Sequence, residues 1–334
     1  MTMASRVASH PPRPADPAPR TAQRPRTRAA RRRRDVLRNL AFLSPWLAGT
    51  GLFFLYPLVA TAWFSLTRYD GFTAPRWVGL RNWSFVLHDY PFFWPAMRNT
   101  LWLVLVVVTL RVLFGLAVGT LVVKLKGGGG IFRTLYYAPY LAPPVAGTIA
   151  FVFLLNPGTG PVNVILGHLG LPQPGWFNDP SWSQPALTLL ALWGVGDLMV
   201  IFMASLLDVP RDQYEAAALD GAGVIGRFRY VTIPHLRPIL VFAAVTGVIA
   251  TMQYYTEPLV AGLVASGQIG GSGQPTEPGY PGGSTLTLPQ LVYNLGFQRF
   301  DIGAACVIAL VLFALSMLFA AVLMRRGSGF LAED

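Results

Sequence analysis

The sequence predicts an all-α integral membrane protein with six transmembrane helices. Three observations carry that reading. Of the 334 residues, 53% are hydrophobic and 12% are charged. Six apolar stretches approach the roughly 20 residues a helix needs to cross a hydrocarbon core of about 30 Å. Lys and Arg alternate between opposite sets of loops. Soluble domains carry roughly 25% charged residues, so a soluble globular enzyme is disfavoured from the outset.

The formal net charge of +11 has one main source, because residues 1–38 hold eleven Arg and two Asp while the rest of the chain is close to neutral. That distribution marks a basic tail, and no nucleic-acid partner is expected. Cys306 sits in an apolar run and is the single cysteine, leaving no disulfide framework, no thiolate cluster and no expected metal site. Residues 1–35, rich in Pro, Ala and Arg, have too few apolar side chains to offset the entropy of ordering. A disordered Arg/Pro-rich cytoplasmic tail is expected there, followed by a transmembrane domain over 36–334.

The expected spans are 40–65, 100–123, 140–155, 185–207, 239–263 and 303–324. The first is too long for a signal-sequence core, and no convincing small-residue cleavage site follows it, so it should be retained. Pro139, Pro143 and Pro144 interrupt the start of the third, and Asn156-Pro157-Gly158 closes it early. It should therefore begin as a broken or shorter helix. Orientation follows from the basic residues, which stay cytoplasmic. Twenty Lys and Arg lie in the N-terminal tail, the loops after spans two and four and the C-terminus, against five in the alternate loops. Both termini are expected in the cytoplasm.

The loop 208–238 is not a flexible linker. Pro210 suits the start of a helix, Asp212 and Glu215 lie near its positive end, and Ala216 to Leu219 favour helix. Gly221 should end that helix, and a second should run from about Ala222 until Pro234 stops it. Such a compact element could lie in a groove of another protein. It could equally be an ordinary structured loop whose acidic residues are caps.

Glu215-Ala216-Ala217, Asp220-Gly221-Ala222, Phe228 and Ile233-Pro234 resemble the EAA loop of type I ABC importer permeases in order and spacing. The resemblance continues over most of the chain. Ser65 to Gly71, Val78 to Trp83, Asn99-Thr100, Tyr137 to Tyr140 with Pro144, Gly158, Asn163, Ser284-Thr285, Tyr293, Phe297 and Gly303-Ala304-Ala305 are similar to the carbohydrate branch, the maltose and glycerol-phosphate type. The chain departs from that pattern in a Gly- and Ser-rich insert over about 266–283 and in its Arg-rich tail.

The resemblance implies a type I ABC importer permease fold in a bacterial inner or plasma membrane. It implies ATPase coupling through Glu215, Ala216, Ala217, Asp220, Gly221, Ala222 and Pro234, docked in a cleft of a separate subunit. Implied partners are a second, different permease, two ATPase subunits carrying ATP and Mg, an extracytoplasmic solute-binding protein and a sugar substrate moved by alternating access. The chain itself has no G-x-x-x-x-G-K-[ST] phosphate loop. Gly127 to Gly130 reads as a flexible turn, so neither a bound cofactor nor enzymatic activity is expected. Asp220, taken by itself before a Gly, is more often a turn residue than a contact.

Two groups of polar residues fall inside the spans. Arg111 and Asp197 sit at similar depth, where an ionisable group is costly by roughly 2.5–3.5 kcal/mol. Either they form an intramembrane ion pair tying helices together, or Asp197 faces the substrate pathway. Gln253, Tyr254, Tyr255 and Glu257 combine amide, carboxylate and aromatic groups suited to a sugar, but also suit an interfacial aromatic belt. An ion- or proton-coupled carrier using Arg111, Asp197 and Glu257 as a relay is the alternative function. The polybasic tail could touch anionic membrane lipid or simply enforce orientation.

Overall fold

The computed structural model describes residues 28–125, 127–268 and 278–331, with side chains between 38 and 325. The chain divides into two compact units, Met1–Pro57 and Leu58–Asp334. In the first, helix α1 covers Arg28–Thr50 and passes into a π turn over Gly51–Leu55. Pro45 lies inside α1 and cannot donate to the carbonyl of Ala41. The Ser44 hydroxyl donates to that carbonyl instead, at 2.8 Å. The expected tail is corrected at its end: Arg28 already starts α1, because the alanines and arginines there are strong helix formers. Residues 1–27 lie outside the described residues.

Helix α2, Tyr56–Ser65, leads into the second unit, and Arg38–Ser65 is long and apolar enough to cross a membrane. A two-stranded antiparallel hairpin follows, β1 (Thr67–Arg68) pairing with β2 (Arg76–Trp77). Its turn is held by Asp70, whose carboxylate accepts from the Thr73 and Phe72 amides at 2.8 and 2.9 Å. Those bonds hold its carboxyl below the usual carboxylate range. The remaining helices are α3 (Arg81–Ser84), α4 (Phe93–Lys124), α5 (Gly129–Leu141), α6 (Pro144–Leu154), α7 (Pro161–His168), α8 (Pro180–Trp193), α9 (Gly196–Leu207), α10 (Arg211–Leu219), α11 (Val224–Arg227), α12 (Ile233–Met252), α13 (Thr256–Ala265), α14 (Leu288–Tyr293) and α15 (Ile302–Leu331).

Besides Arg38–Ser65, the stretches Phe93–Lys124, Val224–Met252 and Ile302–Arg325 have the length and apolarity of membrane spans. Two further candidates are bent pairs: α5 and α6 meet at 102°, α8 and α9 at 49°. The break expected at the start of the third span falls at Ala142-Pro143, where consecutive prolines withhold two amide donors. Helix α6 alone has 11 residues, about 17 Å, too short to cross.

The fifth span differs from expectation. Instead of running over 239–263, α12 ends at Met252, Gln253 to Tyr255 leave the helical path, and α13 begins at Thr256. Pro258 explains the new start, since a missing amide is tolerated in a first turn and not further in. Pro234 is a second correction: it does not stop a helix. A π turn over Phe228–Thr232, closed by the Ile233 amide on the Phe228 carbonyl, carries the path from α11 into α12. The wider turn accommodates the donor that Pro234 lacks.

Helix α4 is the axis of the second unit. Phe93 and Ala96 pack with Leu288, Leu291 and Val307; Leu103 and Val107 with Val152, Phe177 and Leu187; Val104 and Val108 with Val248 and Met252. Leu116 joins Leu198, Phe202 and Leu236, and Val118 and Val122 join Met199 and Met203. Gly115 and Gly119, four residues apart, let α4 approach α9 closely. A Cβ on Gly115 would meet the Leu198 Cβ at 3.0 Å, and one on Gly119 would meet the Met199 carbonyl at 3.2 Å. In hydrocarbon, where burial gives no drive between helices, such small-residue contacts supply the packing.

Replacing Gly119 by Val should therefore destabilise the protein by about 1–3 kcal/mol, the usual cost of overpacking. Gly49→Val, at a position with open space, should cost much less. Thermal unfolding of both variants in detergent checks this, and equal midpoints would refute it.

Candidate functional site

Two features stand out: the folded loop over 208–238 and a chamber where helices break. In the loop, α10 starts after Pro210, whose extended backbone (φ −60°, ψ 133°) turns the chain into the helix. It closes with two bonds that define a left-handed cap: the Ala222 amide donates to the Ala217 carbonyl at 2.9 Å, and the Gly221 amide to that of Ala218 at 3.1 Å. Gly221 takes φ +84° with nothing near its Cα that a Cβ would strike. Its requirement is purely conformational. The Tyr214 hydroxyl meets Thr232 Oγ1 at 2.8 Å and fastens α10 to the π turn.

Glu215, Ala216, Asp220 and Gly221 are exposed, while Ala217, Ala222 and Pro234 are partly covered. Around them Leu219, Val224 and Ile225 are 89%, 66% and 83% exposed. Sequence reasoning singled out the small and acidic residues and missed these three, whose signal was their apolar character in an otherwise polar loop.

The chamber has a volume of ≈ 220 Å³ and touches all three helix breaks: Ala142 and Pro143 between α5 and α6, Gly194 between α8 and α9, and Tyr254 between α12 and α13. Arg111, Tyr140, Trp193 and Glu257 also line it. Arg111 Nη2 donates to Asp197 Oδ1 at 2.9 Å and to the Gly194 carbonyl at 3.4 Å. The two side chains are 21% and 29% exposed, too covered to count as a surface ion pair. Asp197 lies in the first turn of α9, where the helix dipole also favours its charge.

Of the residues read as a possible pathway, Tyr254 and Glu257 face the chamber. Asp197 borders a second cavity of ≈ 140 Å³ with Thr246 and Thr251, and Arg111 lines both. Tyr255 instead lies against the Tyr293 ring at 5.4 Å, and Gln253 is exposed and absent from either lining. The Tyr254 hydroxyl is buried without a hydrogen-bond partner among the described residues, and the Tyr254 carbonyl accepts from Thr287 at 3.0 Å. Behind it, Asn99 donates to the carbonyls of Gly283 and Leu286 at 2.8 and 3.0 Å, and Gln184 to Asn99 at 2.7 Å. These bonds pin the end of the 266–283 insert to α4 and α8; residues 269–277 of that insert lie outside the described residues. Tyr140 entered the sequence reading through the family resemblance and Trp193 drew no attention, because hydropathy does not reveal that each flanks a break.

A chamber framed by discontinuous helices and lined by paired charges and aromatic rings is the architecture of a membrane transporter. Residues 91–327 match the family described as binding-protein-dependent transport system inner membrane component, and the chain belongs to that family. It is thus a multi-pass inner-membrane protein. It is 30% identical over 300 residues to the probable ABC transporter permease protein YesP of Bacillus subtilis, covering 89% of this chain and 92% of that one. It is 31% identical over 295 residues to the sulfoquinovosyl glycerol transport system permease protein SmoG of Agrobacterium fabrum, covering 87% and 90%. Its fold matches a chain of a bacterial ABC transporter involved in the import of the acidic polysaccharide alginate, with a TM-score of 0.69 and 20% identity over 89% and 98% of the two chains.

Two outcomes follow from this geometry. Arg111→Met leaves the Asp197 carboxylate unpaired and should cost about 1–3 kcal/mol, less than the roughly 3–5 of a fully buried pair. Arg111→Met with Asp197→Leu should recover most of that loss, and equal unfolding midpoints for the single and double variants would refute the pairing. At Gly221, Asn should be tolerated better than Val, because a left-handed backbone costs a branched residue about 1–2 kcal/mol. Comparing substrate uptake at matched expression for the two variants tests that order.

Proposed function

We propose that this chain is a membrane-spanning subunit of an ATP-binding-cassette importer that moves a sugar or oligosaccharide by alternating access. Six spans, each bent pair counting as one, would put both termini on one side, and the distribution of Lys and Arg favours the cytoplasm for that side. ATP and Mg act on two separate ATPase subunits; a second, different permease and an extracytoplasmic solute-binding protein complete the assembly. The carbohydrate assignment rests on the chamber's aromatic and charged lining and on the substrates named for the similar proteins. Family membership favours this reading over a solitary ion-coupled carrier.

The observation that carries the mechanism is the continuity of Val224–Met252, a stretch of 29 residues about 44 Å long. One end is continuous with the capped, apolar docking element; the other ends at Tyr254 beside the chamber. Closure of the ATPase pair would push on Leu219, Val224 and Ile225, with Glu215 and Asp220 at the rim, Ala216, Ala217 and Ala222 allowing close approach, and Gly221 and Pro234 fixing the angle. The rod would convey that displacement to the break at Gln253 to Tyr255 and change the chamber's access. Inside, Arg111, held by Asp197, and Glu257 would offer hydrogen bonds to hydroxyls while Tyr254, Tyr140 and Trp193 wall the C–H faces.

Affinity purification of the tagged chain from native membranes should recover an ATPase subunit and a second permease. A Gly221→Trp variant should lose the ATPase, by tenfold or more on the order of one disrupted interface anchor, yet keep the second permease. Recovery of this chain without any ATPase, under conditions that hold known complexes together, would refute the assignment.

A further inference from the structure

A cavity of ≈ 400 Å³ lies apart from the chamber, between the end of α4 and the docking element. Its volume falls within the roughly 300–1,000 Å³ of small-molecule sites. Lys124, in the last turn of α4, and Arg227, at the end of α11, both line it, and among the described residues no carboxylate does. Arg227 Nε is buried without an acceptor among the described residues. A buried cationic donor left unmatched is unfavourable, so the pocket calls for an acceptor. Tyr214 and Thr232, already bonded to each other at 2.8 Å, add hydroxyls to the same wall. Thr120 adds a third hydroxyl, bonded to the Leu116 carbonyl of its own helix, and the rest of the lining is apolar, chiefly Val123 and Phe228.

We infer that this pocket binds an amphiphilic phosphate monoester. A guanidinium fork and a compact ammonium together match a dianion with three acceptor oxygens, where a carboxylate would leave one cation underused. The apolar walls take the ester's hydrocarbon part. A bound phosphate would bridge α4, the axis of the unit, to α11, which leads into the rod of α12, and so restrain the docking element against the membrane helices. That regulatory consequence rests on the proposed function; the binding itself rests on the pocket. The same chemistry is supplied by a lipid such as phosphatidate in the inner leaflet or by a soluble phosphorylated metabolite.

The test uses the complex as purified, in nanodiscs of phosphatidylcholine, with two probes: phosphatidate titrated into the disc and read by native mass spectrometry, and radiolabelled phenyl phosphate in equilibrium dialysis. One probe should bind the wild type once per copy of this chain, and Arg227→Gln should weaken it about tenfold or more. Lys124→Glu changes an exposed residue that does not support the fold and should weaken it likewise. Retention of phosphatidate alone identifies the lipid source, and binding of phenyl phosphate identifies the soluble one. Equal binding by wild type and Lys124→Glu overturns the inference. So does binding that appears only after the ATPase is stripped away, because the pocket would then belong to the subunit contact. Subunits recovered in the same sample report separately on the importer assignment, and the titration reads the pocket whether or not an ATPase is present.

Discussion

The close approach of α4 and α9 at Gly115 and Gly119 governs the second unit, because two helices whose backbones nearly touch have no layer of side chains within which to slide. Once α9 is fixed against α4, Asp197 comes within reach of Arg111 and Gly194 presents its carbonyl to the same guanidinium. Helix α5 is then placed as well: Gly196 lies so near that a Cβ there would meet the Tyr136 carbonyl at 2.5 Å. The ion pair is thus a consequence of packing at least as much as a cause of it. Two charges this covered contribute specificity of alignment more readily than net stability.

The segment that leads into α14 obeys a different logic. There the chain returns through a polar lattice in which Asn99, Gln184, Ser183 and Ser284 exchange hydrogen bonds, the last two at 2.6 Å. Thr100 accepts from the Leu288 amide at 3.0 Å. Each of these groups is covered, and together they satisfy one another, which is the condition under which buried polar networks rigidify a fold. Their position places the segment before α14 directly behind Tyr254.

What could be read from the sequence follows the range of the chemistry involved. The capped turn at Gly221 was legible because its cause is local: a left-handed residue, small neighbours and a proline at the entry. The break at Pro143 and Pro144 was legible for the same reason. Arg111 and Asp197 could be matched by depth, although pairing and pathway roles could not be separated. The interruption at Gln253 to Tyr255 was missed because averaged hydropathy runs straight through it, and Pro234 was overvalued because a π turn can absorb a proline that an α turn cannot. Tyr140 and Trp193 gave no sign, since being beside a break is a property of folded geometry. The Gly115 and Gly119 pair lay in plain view as a four-residue spacing, but only the facing helix gives it meaning.

Three interruptions of helix meet at one chamber, and two of them are bends of 102° and 49° between stiff segments. The size of the chamber is therefore a mechanical variable, set by joints, before it is a chemical one set by side chains. On the proposed function, a substitution at Trp193 or Glu257 would alter what the chamber prefers, whereas one at Pro143, Gly194 or Tyr254, which stand at the breaks as well as in the lining, would also alter how far it opens. On that reading, evolution toward bulkier or smaller cargo has two routes, through the joints and through the side chains between them.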